Sequence, residues 1–216
     1  MLLRLGLETY PHHAAADNDR LALMDVGSPD GYRAQLARIF GFEAGVEAAL
    51  SGVLGAQLVR DRAKADRLRR DMRAMGMTAD DVAYLPQYSL RLASAAQALG
   101  WLFVLERHTL IAGLIRRQLE YRFGSAVANA TSYLAAYGAS PGARFRSLCA
   151  ALDDHAARRP DWPALVVAGA MEAFRSQRQW YLATRSERDT ESEPVRAVVE
   201  PPQSWLGPPS AAASTR

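Results

Sequence analysis

The chain of 216 residues contains one cysteine, Cys149, and one lysine, Lys64. A single thiol excludes a disulfide framework and a cysteine-rich zinc site, and it fits a reducing cytoplasm. With lysine so scarce, positive charge rests on arginine. The net charge of +3 is spread along the chain. No basic block stands apart from its acidic neighbours, which argues against nucleic acid as a partner but suits an anionic small molecule. Long apolar runs are also missing. The longest, residues 98–105, leads directly into Glu106, Arg107 and His108, so no membrane span is predicted. Residues 1–10 lack a cationic start followed by a long apolar stretch, so no signal peptide is predicted and the expected location is cytoplasmic. A Gly-rich phosphate loop, a His-x-x-x-His pair and a Cys/His dyad with a third partner are all absent. Strand-like alternation is nearly absent and no internal repeat is visible.

What is present is helical periodicity over a hydrophobic content of 49%. The expected fold is all-α, a single helical domain over residues 1–185. The first helix is predicted from about residue 12 to 24. Ser28 and Pro29 mark the start of the second, with Tyr32, Leu36, Ile39, Phe40 and Val46 facing inward and Gly52 and Gly55 weakening its end. A charged helix is predicted over 56–75, stopped by Gly76, and Thr78 caps a short one over 79–83. A long helix is predicted from about 88 to 122, broken by Gly124, and another over 126–137. The last two are placed at 141–158 and 162–184. The Arg-rich run 60–73, alternating with Asp61, Asp66 and Asp71, reads as a solvated face laced with weak ion pairs. Residues 186–216 are rich in Pro, Ser and Glu and read as a disordered tail carrying one apolar pair, Trp205-Leu206.

Among four histidines, His13 stands out. Thr9, His13 and Asp17 are four apart and share one helical face. A helix-borne histidine at a cleft is a good axial ligand for haem iron, and a solvated histidine near a helix start is the plainer alternative. His108 sits in the long apolar helix, where a lone polar residue is usually a satisfied core or groove residue. His155, among Asp153, Asp154, Arg158 and Arg159, reads as surface. The acidic pairs Asp80-Asp81 and Asp153-Asp154 are neighbours on helices, roughly 100° apart, and do not converge as an acid/base pair.

Taken in order, several motifs resemble the bacterial haem oxygenases that make biliverdin, the type often found beside bacterial phytochromes. These are Thr9-x-x-x-His13; Tyr32-x-x-x-Leu36 with Phe40-Gly41-Phe42 and Glu47; Arg62, Lys64, Leu68, Asp71 and Gly76; Leu99-Gly100-x-Leu102-Phe103-Val104-Leu105-Glu106; then Phe123, Tyr137-Gly138, Phe145, and Ala173-Phe174 with Trp180. The resemblance spans residues 3–182. It implies a haem-oxygenase-like helical bundle with haem between a proximal and a distal helix. His13 would bind the iron (His12 is the alternative), and His108 and Thr109 would lie on the oxygen side. Thr9, Asp17, Arg107, Ile111, Ala112 and Phe174 would line the haem, with Arg4 and Arg146 near its propionates. Electrons from a ferredoxin or flavoprotein reductase would drive cleavage to biliverdin, carbon monoxide and ferrous iron, with biliverdin as the link to a phytochrome.

The distal segment departs from that pattern. The family's usual Glu-Gly-Ser-Thr-Leu-Gly-Gly reads here Glu106-Arg107-His108-Thr109-Leu110-Ile111-Ala112. Glycines there let backbone approach the haem face. Arg107 and Ile111 would fill that space, and the β-branched Ile111 stiffens a helix that the family bends. Gly6 stands where a basic residue is common, and Pro11 interrupts a helix running into His13. Three readings follow: a working oxygenase; a haem- or tetrapyrrole-binding homologue without turnover, with His108 as a second axial ligand; and a helical scaffold with a closed pocket.

Overall fold

A computed structural model describes residues 1–22 and 25–184. The predicted tail lies outside the described residues, as does the predicted end of the first helix. Every regular element described is helical: α1 (Leu2–Glu8), α2 (Tyr10–Leu21), α3 (Pro29–Leu54), α4 (Ala56–Arg60), α5 (Ala65–Ala74), α6 (Ala79–Ala83), α7 (Ala95–Arg107), α8 (Thr109–Phe123), α9 (Ser125–Ala128), α10 (Pro141–Arg158) and α11 (Trp162–Ala183). The fold is all-α.

Local chemistry explains most boundaries. Ser28 accepts a hydrogen bond from Gly31 N at the start of α3, and Gly55 ends it at φ 88°. Thr78 and Asp81 form a reciprocal capping box on α6. Gly76 and Gly124 take positive φ after α5 and α8.

Four predicted boundaries need correction, and in three of them tertiary contacts decide. The first helix begins at Leu2 and breaks at Thr9, because Pro11 fits the first turn of a new helix but not the interior of a continuous one. The charged helix splits at 61–64, where Glu47 of α3 accepts from Lys64 N at 2.6 Å and Ala65 N at 3.2 Å and so caps α5. Residues 88–94 are not helical; Tyr88 N donates to Gly41 O at 2.8 Å, laying this segment along α3, and Ser94 caps α7. A Cβ on Gly45 would strike the Tyr88 backbone, so glycine is required there. The predicted helix over 126–137 shrinks to α9, because Asp71 captures Ser132 N and Tyr133 N at 3.0 and 2.7 Å and holds the chain in turns.

The charged run 60–73 is also corrected. Asp66 and Arg69 do pair at the surface. Arg62, Lys64 and Asp71, however, are buried.

α7 and α11 form the centre of the bundle. They approach closely because Gly100 and Gly169 lie at their crossing; a Cβ on Gly100 would meet the backbone of Val166 and Ala170, and one on Gly169 would meet that of Gln97. One apolar cluster surrounds this pair, with Trp101, Phe103, Leu105, Leu148, Val166 and Phe174. A second, with Tyr32, Phe40, Leu68, Met72, Ile115 and Leu119, fills the space beneath α3, α5 and α8. By length and composition alone, Ala95–Phe123 could cross a membrane. Most of it is buried inside the bundle, and Glu106 and Arg107 lie within it.

Candidate functional site

The one-residue break at His108, the bend between α7 and α8, lies in the segment Glu106 to Ala112. α7 ends at Arg107, and His108 joins it to α8 with near-helical angles. The Thr109 hydroxyl donates back to Glu106 O at 2.7 Å, a bond that favours bending at such a point.

α2 lies against α11 and presents His13, Asp17 and Arg20 at spacings of four and three. They therefore share one face, which meets the bend residue by residue. Arg107 grips Asp17 with both arms of its guanidinium, at 2.5 and 2.8 Å. One turn further along α2, Arg20 Nη2 donates to His108 Nδ1 at 3.2 Å. Because arginine only donates, Nδ1 is the acceptor and the neutral ring carries its proton on Nε2.

His13 is half-buried. The Thr9 hydroxyl donates to Leu5 O at 2.6 Å and lies 2.7 Å from His13 Nε2. The ring must then donate Nε2–H to Thr9, which leaves Nδ1 with the lone pair. Burial, reinforced by Arg107, lowers the His13 pKa to about 4, with Asp17 opposing. The ring is neutral at physiological pH and packs on Phe174 at a centroid distance of 5.3 Å; His12 stacks on the same ring at 6.1 Å.

Behind the bend lies a buried polar cluster. Arg20 donates to Glu43 at 2.7 Å and to the Tyr133 hydroxyl at 2.6 Å, and Tyr133 donates to Glu43 at 2.5 Å. Gln177 closes on His108 Nδ1 at 3.4 Å. Burial opposes the Arg20 charge, but Tyr133, Tyr181 and Glu43 outweigh it and hold Arg20 protonated. His108 is pushed well down, first by burial and then by Arg20, Arg107 and Lys64. Three buried atoms here have no partner: Arg20 Nε, Glu43 Oε2 and His108 Nε2.

One residue before the bend, Glu106 anchors a different cluster. It accepts from Arg62 at 2.8 Å, Lys64 at 3.2 Å and the Tyr137 hydroxyl at 2.6 Å. The Lys64 ammonium also donates to Arg62 O at 3.0 Å.

The structure therefore brings together Thr9, His13, Asp17, Arg107 and Phe174. His108 and Thr109 adjoin them, but the His108 ring is enclosed by Arg20 and Gln177 and not by His13. Ile111 packs against the second apolar cluster. Ala112 is buried and, with Thr109, Gly113, Arg116, Arg117 and Tyr133, lines a groove of about 320 Å³. Arg4 pairs with Glu8 at the surface, Arg146 is exposed on α10, and His155 is exposed and stacked on Trp162. Sequence reasoning missed Arg20, Glu43, Tyr133 and Gln177. Only Arg20 carried a signal, standing seven residues after His13 on the same face. Among the described residues no group of three or more His, Cys, Asp or Glu side chains could hold a metal ion. No family model, no curated protein and no solved structure matches this chain.

Proposed function

We propose that the chain is a haem-oxygenase-type helical protein that has kept the bundle and the proximal histidine but not the turnover of haem, and that it works with its haem crevice closed. The observation carrying this reading is the two-armed grip of Arg107 on Asp17. A porphyrin needs about 7 Å between the facing surfaces, with contacts of roughly 3.5–4 Å on each side. Here a side chain from the bend reaches across to the helix that carries His13, one turn from that residue, at hydrogen-bond distance. That contact supports a crevice closed at this point.

A further fact points the same way. His108 is committed to Arg20, so a pair of axial histidines would require the buried cluster to come apart. The reading places the protein in the cytoplasm as a binding or scaffold module, with no call on a ferredoxin or flavoprotein reductase.

The experiment is incubation of the purified protein with hemin and a ferredoxin reducing system while biliverdin absorbance is followed. The expected result is no biliverdin. Stoichiometric conversion to biliverdin would overturn the proposal.

A further inference from the structure

The start of the chain exposes a row of large apolar side chains. Leu3, Leu7 and Tyr10 are 76%, 68% and 71% exposed, with Leu2 beside them at 41%. Leu3 and Leu7, four apart, share one side of α1, and Tyr10 follows in the first turn of α2, while Leu5 on the opposite side of α1 is fully buried. Gly6 borders the row, and a Cβ built there would meet nothing within 4 Å. The row is therefore flat, open and apolar, bounded by the surface pair Arg4 and Glu8. Single exposed leucines are ordinary, but a contiguous row is the form of an interaction surface.

Its size bears on the occupant. Four such side chains offer roughly 400–500 Å² of apolar surface, well short of the ~800 Å² per partner in a stable dimer. A short segment tethered to the same molecule needs less, because its effective concentration is in the millimolar range. The chain after Thr184 supplies such a segment. Trp205-Leu206 is the only tryptophan–leucine pair in the chain beyond residue 184, 21 residues past that point. For a random coil, 21 residues correspond to an average span of about 25 Å. α11 runs beside α2, with Phe174 against His12 and His13, next to Tyr10. From Thr184 back to Phe174 is ten residues of helix, about 15 Å.

We propose that Trp205-Leu206 docks in cis on the Leu3–Leu7–Tyr10 row, with the Trp205 ring seated over the open Gly6. This is independent of whether the crevice admits haem. The test is disulfide trapping in the full-length chain. Cys149 does not interfere, since it is buried and burial raises its thiol to about 11. Leu7→Cys is combined with Leu206→Cys or, as the control, with Ser214→Cys, and each is oxidised with diamide. Chain statistics alone favour the nearer cysteine by less than about twofold. Docking predicts an intramolecular link at least tenfold faster for Leu206→Cys, slowed to the control rate by Trp205→Ala. Gly6→Arg, at a position where an added Cβ meets nothing within 4 Å, should slow it likewise with no fall in Tm. Equal rates for the two tail positions, or covalent dimers from Leu7→Cys alone, would overturn the proposal.

Discussion

Two polar clusters flank the same bend, one centred on Glu106 and one on His108, and they are built to different standards. The Glu106 cluster uses both carboxylate oxygens and finds partners for Arg62, Lys64 and Tyr137. The cluster behind His108 leaves an atom of Arg20, of Glu43 and of His108 unpartnered. A satisfied buried network rigidifies and specifies a fold, whereas a partly satisfied one invites water or marks a place where the sequence has changed its task. The satisfied cluster is centred on Glu106 and the incomplete one on His108, with Arg107 between them turned toward Asp17.

The comparison is sharpest in mutants. Glu106→Gln removes the carboxylate that Arg62 and Lys64 both contact in the interior, and the expected loss is about 3–5 kcal/mol, read by urea denaturation. His108→Leu removes a ring whose Nε2–H already lacks a partner, while Arg20 keeps Glu43 and Tyr133. The expected change is within about 1 kcal/mol of zero. Equal costs for the two substitutions would erase the distinction drawn between the clusters.

Acid should separate the clusters as well. The unfolded His108 takes up a proton below its ordinary value of 6.5, and the folded one does not. Stability is therefore lost as pH falls below 6.5, by about 1.4 kcal/mol per pH unit for this one residue. Glu47 acts in the opposite sense. Burial raises it from 4.5 to about 7, so between those values the folded state holds a proton that the unfolded state releases. Stability from Glu47 then falls as pH rises through that window. The His108 contribution is accordingly the difference between the parent and His108→Leu. That difference is expected to grow in favour of the variant from pH 6.5 to 5; a constant difference would show His108 protonating freely in the fold.

Much of the fold was legible because helix caps are local. Ser28, Thr78 and the glycines after α5 and α8 fixed their ends from a few residues of sequence. The breaks at 61–64, 88–94 and 129–140 were not, because their causes are remote. Glu47 captures Lys64 N, Gly41 O captures Tyr88 N, and Asp71 captures Tyr133 N, none of them readable from helical periodicity. Asp71 shows the limit well: spaced like its surface neighbours in a run of arginines, it reads as an outward charge until Ser132 and Tyr133 are placed upon it. At the site, the Thr9–His13 spacing gave a true contact, since four residues is one helical turn. The Asp17–Arg107 pair, 90 residues apart, had only an indirect sign, a carboxylate on the His13 face.

The expected effect of that pair on stability is modest. Arg107 and Asp17 are partly exposed, so Arg107→Gly should remove under about 1 kcal/mol of ion-pair stabilisation, with a further cost of about 1 kcal/mol for glycine in the last turn of α7. Its effect on binding should be large. Hemin titration followed in the Soret band, on the parent and on Arg107→Gly, tests the closed crevice most directly. The account predicts no ligation band for the parent and a saturable band for the variant that is lost with His13→Ala. A parent protein that binds hemin through His13 as tightly as Arg107→Gly does would contradict it.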